Sequence, residues 1–369
     1  MSCSKLFSGD LPELTYEVIK YLQNDHSTLH SCILVNRFWC RLTIPLLWEN
    51  PFSISTRKYK FIIDIYLHNS KTKLNVYNIN NNLLPSNSTL FNHLNFLKYL
   101  NTFEFITSVN EWKILTLKNK HLNSSISDIC LLLFKMFIEN EVNLHTLEIE
   151  NSLANEYSSR YLEYYNFSNT LNTIIFYFID LKVIINQVKV FEQLNVLESV
   201  HIVYCSSLND SFIQQIITLT KPFKLKSLFM GEILQIESIQ LLLQKSGDYL
   251  ENIGFGFCIS LEQLIELITK YCKNIKFLDL GTIKNPIIYL IVSIIENIKQ
   301  KLNHLTIHIL DENSQDILIN KSLIDQRGQR DLYDLKDEVE EFKLYNIRVR
   351  RWNNLFFISN IYNFLKEVD

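Results

Sequence analysis

The chain has 369 residues, 47% of them apolar, and its 36 basic residues nearly balance its 39 acidic ones, leaving a net charge of −3. The apolar fraction suffices for one large core or for an extended core along a repeat array. The charge balance supplies no basic footprint for nucleic acid or for an anionic membrane. With only 7 glycines and no G-K-[ST] motif, Gly-rich phosphate-binding loops are nearly excluded.

Cysteine usage and the apolar runs predict the compartment. The seven cysteines are widely spaced and form no C-x-x-C motif, which favours reduced, buried thiols. The first ten residues are polar and lack the apolar segment of a secretory signal. The longest apolar run, residues 287–295, falls far short of the ~20 residues that a membrane-spanning helix needs. We therefore expect a cytoplasmic or nuclear protein without a membrane segment.

Residues 11–48 are the first segment with a regular pattern, and they predict three short helices. Apolar residues recur at helical spacing until Asn24 and Asp25 end the first helix. Ser27 or Thr28 can cap the second helix, and Pro45 must start or bend the last segment. A unit this small is marginal alone, and its Leu, Ile and Trp residues fall on more than one face. A partner that covers the remaining apolar surface is the economical explanation.

The order and spacing of residues in this segment match a known helical module. The match is carried by the following residues: Leu11, Pro12, Glu13, Leu14, Val18, Ile19, Leu22, Leu29, Cys32, Val35, Asn36, Arg37, Trp39, Leu42, Pro45, Leu47 and Trp48. On these residues the segment resembles an F-box. His26 departs from the pattern, because an acidic or proline-containing turn is more usual there. The whole chain also resembles a large group of fungal F-box-like proteins.

The resemblance implies a non-catalytic receptor subunit. F-box proteins bind the adaptor Skp1, which bridges to a cullin–RING scaffold, and they present a protein substrate for ubiquitylation. Adaptor binding, or the core that supports it, then falls to nine residues: Leu11, Pro12, Leu14, Ile19, Leu22, Val35, Trp39, Leu47 and Trp48. The same residues could instead all pack inward, as a plain helical cap on the rest of the chain. The sequence does not separate these roles.

An internal repeat occupies most of the remaining chain. The template L-x-x-L-x-L, in which L is any large apolar residue, begins at seven positions: Leu144, Leu171, Leu197, Leu225, Leu250, Ile275 and Leu302. Successive starts lie 25 to 28 residues apart, and the alternation predicts a strand with one buried face in each unit. Two further matches, at Leu100 and Leu344, stand apart from the series.

The segments between these strands have helical periodicity. Residues 233–245 show it, residues 260–263 form a capping box, and Asn285 with Pro286 opens another predicted helix over residues 287–298. A strand and a helix in about 26 residues make a leucine-rich-repeat unit. Cysteines three residues after the last apolar template position resemble the repeat class common in F-box proteins; they are Cys205 and Cys258.

The predicted fold class is therefore α/β. We expect an F-box at residues 8–52, a connector with irregular early repeats at 53–125, regular repeats at 126–311, and a charged loop with a C-terminal cap at 312–369. No single unit can bury both of its apolar sides, so neighbouring units must stack. The result would be a curved solenoid with parallel strands on the concave face and helices outside.

The strand positions that point away from the core predict a substrate surface. The template occupies positions one to six, and position seven is the residue that follows it. Positions five and seven place four apolar residues side by side in solvent: Ile175, Tyr177, Val203 and Phe229. Position seven of three consecutive repeats is glycine, which lets another backbone approach closely; these are Gly231, Gly256 and Gly281. We expect these seven residues to bind a protein substrate. A loop or the C-terminal tail covering the cluster, or a register shifted by one residue, would remove this surface.

Catalytic and metal-binding patterns are missing from the sequence. His304 and His308 lie in a predicted strand, where their spacing gives about 13 Å, and His26 with His30 has no third ligand placed nearby. No G-x-S-x-G elbow occurs. The basic run at residues 348–352 favours a solvated strand end over a nucleic-acid contact, because no second basic cluster accompanies it. We expect no cofactor and no metal.

Three functional interpretations follow. The leading one is the substrate-recognition subunit of an SCF-type (Skp1–cullin–F-box) E3 ubiquitin ligase, which acts by raising the effective concentration of its target. The alternative is a leucine-rich-repeat scaffold that binds proteins outside ubiquitylation. The third is an enzyme with an unrecognised site. Adaptor binding, cullin co-purification and turnover without partners distinguish them.

Overall fold

A computed structural model describes the greater part of the chain, in the following ranges: residues 11–23, 25–53, 59–68, 91–117, 125–140, 142–150, 170–183, 190–208, 210–233, 236–258, 261–283, 304–310, 316–320 and 348–351. The helices are α1 (Pro12–Lys20), α2 (His26–Ile33), α3 (Arg37–Leu47), α4 (Tyr59–His68), α5 (Thr102–Leu117), α6 (Ile126–Glu139), α7 (Val190–Gln193), α8 (Asp210–Thr218), α9 (Ile236–Ser246) and α10 (Leu261–Tyr271).

The strands alternate with the later helices along the chain. They are β1 (Tyr99–Asn101), β2 (Thr146–Glu150), β3 (Thr173–Tyr177), β4 (Ser199–Val203), β5 (Leu225–Ile233), β6 (Asn252–Cys258), β7 (Phe277–Ile283), β8 (His304–Leu310), β9 (Asp316–Asn320) and β10 (Arg348–Arg351). The described chain is therefore a mixed α/β structure in which strand–helix units recur. The chain forms two compact units: residues 1–200, 205–207 and 219–221 make the first, and residues 201–204, 208–218 and 222–369 make the second.

The first unit opens with the three helices that the sequence predicts. Their core consists of Ile19, Leu29, Cys32, Trp39 and Leu46. The N-cap of α2 is Asp25 rather than Ser27 or Thr28, because the Asp25 carboxylate accepts hydrogen bonds from both Thr28 N, at 3.0 Å, and Thr28 Oγ1, at 2.6 Å. Pro45 lies inside α3 instead of starting a new segment.

The end of this helical segment packs against the rest of the first unit. The Trp48 ring meets Tyr66 edge to face, with centroids 5.5 Å apart, and lies 4.2 Å from the His93 ring. Glu49 forms an ion pair with Lys98, and the Glu49 carbonyl accepts from Lys98 N at 3.0 Å. The helices α1–α3 are thus joined to the first strand by stacked rings and hydrogen bonds.

Strands β1, β2 and β3 of the first unit pair in parallel, in chain order. The register aligns Thr146 with Thr173, so template position three stands beside position three of the next repeat. Their template positions four and six are buried: Leu147, Ile149, Ile174 and Phe176. Strand β4 begins in the first unit at Ser199 and continues into the second from His201.

The second unit continues the same pattern. Strands β5 to β8 pair in parallel, with Ser227, Asn252, Phe277 and His304 aligned at position three. Helix α9 lies between β5 and β6, and α10 lies between β6 and β7, as predicted. Strands β9 and β10 then add in antiparallel order, β9 beside β8 and β10 beside β9. The helix predicted at residues 287–298 lies outside the described residues.

The two isolated template matches differ from the repeat series in the structure as well. Strand β1 ends at Asn101, whose side chain accepts hydrogen bonds from Phe103 N at 2.8 Å and Glu104 N at 3.0 Å, so the chain turns into α5. The register therefore makes Leu97, not Leu100, template position one. The match at Leu344 runs into β10, which is antiparallel to its neighbour and is not a further parallel unit.

Candidate protein-interaction surfaces

Helix α1 presents an apolar stripe to solvent. Leu14, Val18 and Tyr21 follow each other at intervals of four and three residues, which places them on one side of a helix. Their exposed fractions are 46%, 42% and 90%. The opposite side of the helix carries the fully buried Ile19. Helix α1 is therefore apolar on two sides, and only one side is used by the protein's own core.

A second exposed apolar pair lies where α2 ends. Leu34 and Val35 are exposed, although Cys32 of the same turn is buried. The chain turns here because Asn36 caps α3, its side chain accepting from Trp39 N at 2.9 Å. The cap satisfies one backbone donor of the first turn of α3, and Trp39 of that turn is buried whereas the two aliphatic side chains before the cap are exposed. The loop between α2 and α3 thus adds to the apolar surface of the helical segment.

The structure divides the nine predicted adaptor residues by burial. Ile19, Trp39 and Trp48 are buried and belong to the core; Leu11, Leu22 and Leu47 are half-buried; Pro12, Leu14 and Val35 are exposed. Three exposed apolar residues were not among the nine: Val18, Tyr21 and Leu34. Val18 and Tyr21 could have been found from the sequence, because they follow Leu14 at intervals of four and three residues and so lie on the same side of a helix.

The predicted exposure of the apolar cluster on the strands is wrong. Ile175, Tyr177, Val203 and Phe229 are all buried. The reason for Phe229 is local: a Cβ on Gly254 would lie 2.5 Å from Phe229 Cδ1, so the ring occupies the space that a side chain at Gly254 would fill. The same ring lies 5.7 Å from that of Phe277. Phe229 is therefore a packing residue of the second unit.

The other three members are buried for related reasons. Tyr177 stands in register with Glu150 and packs its ring against Phe178, with centroids 4.6 Å apart. Burial, together with the charges of Glu150 and Glu148, raises the pKa of Tyr177 to about 12. Ile175 lies on the same strand, and every residue of β4, which contains Val203, is buried. These strands are covered on both faces, which the template does not reveal.

Polar residues at the same strand positions form a buried chain of hydrogen bonds in the second unit. His201 Nδ1 lies 2.8 Å from Ser227 Oγ, and Asn252 Nδ2 donates to that Oγ at 3.0 Å. Because Ser227 accepts from Asn252, its hydroxyl proton is available to His201 Nδ1, which suits a neutral imidazole. Burial lowers the pKa of His201 to about 4. Both Ser227 and His201 are buried, so this hydrogen bond lies inside the second unit.

The glycines of position seven lie on three adjacent strands, β5, β6 and β7. Gly231 and Gly256 fall between the paired residues Met230 and Phe255 on one side and Glu232 and Phe257 on the other. Gly256 is exposed. The binding role assigned to Gly231, Gly256 and Gly281 stays a prediction.

Across the described ranges, no three or more His, Cys, Asp or Glu side chains come together as metal ligands would. Nor does any helix in those ranges have the length and apolar character needed to cross a bilayer.

Compared with known proteins, the chain matches no family model, and no curated protein matches it significantly in sequence.

Proposed function

We propose that this protein is a substrate receptor of an SCF-type E3 ubiquitin ligase. The helices α1–α3 would act as an F-box that binds a Skp1-like adaptor, and through it a cullin–RING scaffold. The strand–helix units would act as leucine-rich repeats that hold a protein substrate. The observation that carries the proposal is the exposed apolar stripe of α1, formed by Leu14, Val18 and Tyr21.

The balance between buried and exposed residues supports an obligate partner. The helical segment buries its own core around Trp39 and Ile19 and still leaves five large apolar side chains in solvent: Leu14, Val18, Tyr21, Leu34 and Val35. Several large apolar side chains left in solvent on one small segment are typical of a protein-interaction site. Exposed aromatic residues such as Tyr21 typically supply a large share of binding energy.

The packing behind the helical segment supports a receptor that acts by proximity. The Trp48 ring contacts those of His93 and Tyr66, and Glu49 pairs with Lys98. A partner bound at α1 would therefore be attached through ordered side chains to the first strands of the same unit, not through a flexible linker. Ordered attachment raises the effective concentration of one bound partner near another.

The substrate surface has to differ from the apolar cluster that the sequence suggested, since that cluster is buried. The position-seven glycines remain the candidate, because Gly256 is exposed and has counterparts on both neighbouring strands. The receptor itself performs no bond chemistry in this proposal.

Co-expression with a Skp1 homologue followed by pull-down tests the adaptor contact. We expect the wild-type chain to retain Skp1, and a Leu14→Asp/Tyr21→Asp double variant to lose at least about tenfold of the retained adaptor, because two central apolar contacts become charged. Ile114→Asp is the matched control: Ile114 is 50% exposed on α5, and its variant should bind like wild type.

The outcomes are distinct. Equal loss in the Ile114→Asp control would point to a general effect of added charge and contradict the assignment to α1. A folded wild-type chain that retains no Skp1 would remove the ligase proposal and leave a repeat scaffold with a structural helical cap. Skp1 retention without cullin in the same pull-down would indicate an adaptor complex outside ubiquitylation.

A further inference from the structure

Strand β10 is the last strand that the structure describes in the second unit. It pairs with β9 along one side, from Arg348 opposite Asn320 to Arg351 opposite Ile317. Among the strands that the structure describes, none pairs with its other side. An edge strand presents a row of backbone N–H and C=O groups that can pair with another extended chain. Within the described ranges, β10 is therefore the edge strand of the second unit.

The residues of this edge are unusually basic. Strand β10 reads Arg348, Val349, Arg350 and Arg351, in a chain whose overall net charge is −3. Arginine pairs with carboxylates through parallel N–H donors and remains charged at any physiological pH. Positive charge is therefore concentrated at a strand whose outer side pairs with no strand in the described part of the chain.

We propose that the β10 edge binds an extended acidic segment of a partner protein by strand addition. Backbone hydrogen bonds would supply affinity that depends little on side chains, and the arginines would select for carboxylates. A peptide fits this edge better than a nucleic acid does, because the edge offers alternating donors and acceptors that match a peptide backbone. This inference concerns the second unit and does not depend on the adaptor contact proposed for α1.

The probe is a fluorescein-labelled peptide of five Thr-Glu repeats, titrated with the full-length protein and followed by fluorescence anisotropy. We expect saturable binding that weakens as salt is added, and no binding of the matching Thr-Lys peptide. Arg350→Glu should weaken binding at least about tenfold, because it replaces an attractive contact by a repulsive one. Lys273→Glu is the matched control: it makes the same change of charge at an exposed residue of the second unit, and it should alter affinity less than about twofold.

A second peptide tests the strand geometry on the wild-type protein alone. N-methylation at every residue of the Thr-Glu peptide removes the backbone donors of both of its edges but keeps its charge, so binding should be lost if the peptide adds as a strand. Undiminished binding of the methylated peptide would overturn strand addition, since charge alone would then suffice. Failure of the unmodified peptide to bind, or tighter binding of a twenty-residue oligothymidylate, would overturn the proposed partner. Because these arms use unaltered protein, they decide the question even if Arg350→Glu fails to fold.

Discussion

At the scale of single residues, one glycine explains why an aromatic side chain that looks solvent-facing in the sequence is buried. Phe229 and Gly254 occupy the same template position on neighbouring strands, and the ring of one fills the space left by the other. The pairing also places Phe229 against Phe277. The glycine is therefore required for packing, not for the approach of a partner.

A methyl group at Gly254 should destabilise the protein. Gly254→Ala would bring its Cβ within 2.5 Å of a buried ring carbon, and we expect a loss of roughly 1–3 kcal/mol in the free energy of unfolding, the usual cost of overpacking. Urea denaturation measures it. The exposed Gly256, changed to Ala, serves as the control and should shift the value by less than about 0.5 kcal/mol.

The pairing with Phe229 can be tested directly. Phe229→Leu in the Gly254→Ala background should recover part of the lost stability, because the smaller side chain makes room for the methyl group. The two substitutions would then be non-additive, as expected for residues in contact. Additive effects would show that Gly254 matters for another reason.

At the scale of elements, capping residues decide where helices begin and which side chains they bury. Asn36 caps α3 through Trp39 N at 2.9 Å, and Trp39 belongs to the core of the helical segment. Asn101 likewise turns the chain from β1 into α5. A capping residue can be predicted from sequence only where a single polar residue precedes the helix. Before α2 several polar residues follow one another, and the N-cap is Asp25 rather than the predicted Ser27 or Thr28.

Removal of the α3 cap should weaken the helical segment. Asn36→Ala leaves Trp39 N without its side-chain acceptor, and we expect a loss of about 1 kcal/mol in the free energy of unfolding. Asn36→Asp retains a capping oxygen and should remain within about 0.5 kcal/mol of wild type. Thermal unfolding followed by circular dichroism compares the two variants; equal stability of both would exclude a capping role for Asn36.

At the scale of the whole molecule, two buried histidines make stability depend on pH. Burial lowers the pKa of His93 in the first unit to about 4, against the raising effect of a hydrogen bond with the Phe91 backbone. Burial lowers the pKa of His201 in the second unit to about 4 as well, where Lys226 lowers it further and Glu251 raises it. Both histidines are therefore neutral in the folded protein at neutral pH.

The sign of the effect follows from proton uptake. An unfolded histidine has a pKa near 6.5, so between pH 6.5 and pH 4 the unfolded chain binds more protons than the folded one. The free energy of unfolding should be fully retained above about pH 6.5 and fall as the pH drops toward 4. Each histidine accounts for a loss on the order of 1 to 3 kcal/mol, with the smaller share at His93, whose ring is less completely removed from solvent.

Urea midpoints at pH 7.5 and pH 4.5 check this expectation. His201→Gln and His93→Phe each remove one titrating group, so each variant should lose less stability on acidification than wild type does, whatever its stability at pH 7.5. Carboxylates contribute to the acid loss equally in all three proteins and cancel in the comparison. An identical loss in wild type and both variants would mean that these histidines do not titrate in this range.

Periodicity determined much of this protein from sequence alone. The three N-terminal helices, the strand positions from Thr146 to His304 and their alignment at template position three all follow from spacings of two, three or four residues. Such patterns are local, because they record which side of a helix or strand faces a core. These local patterns were sufficient to predict a mixed α/β architecture with parallel strands.

Only the tertiary structure decided which apolar side chains remain in solvent. Template spacing marks Phe229 and Tyr177 as exposed and leaves Leu14 undecided, whereas the structure buries the first two and exposes the third. The direction of β10 was equally undetermined, since its apolar pattern fits a parallel or an antiparallel neighbour. Burial of a strand's second face depends on residues distant in the chain that pack onto it, and no local spacing records that contact.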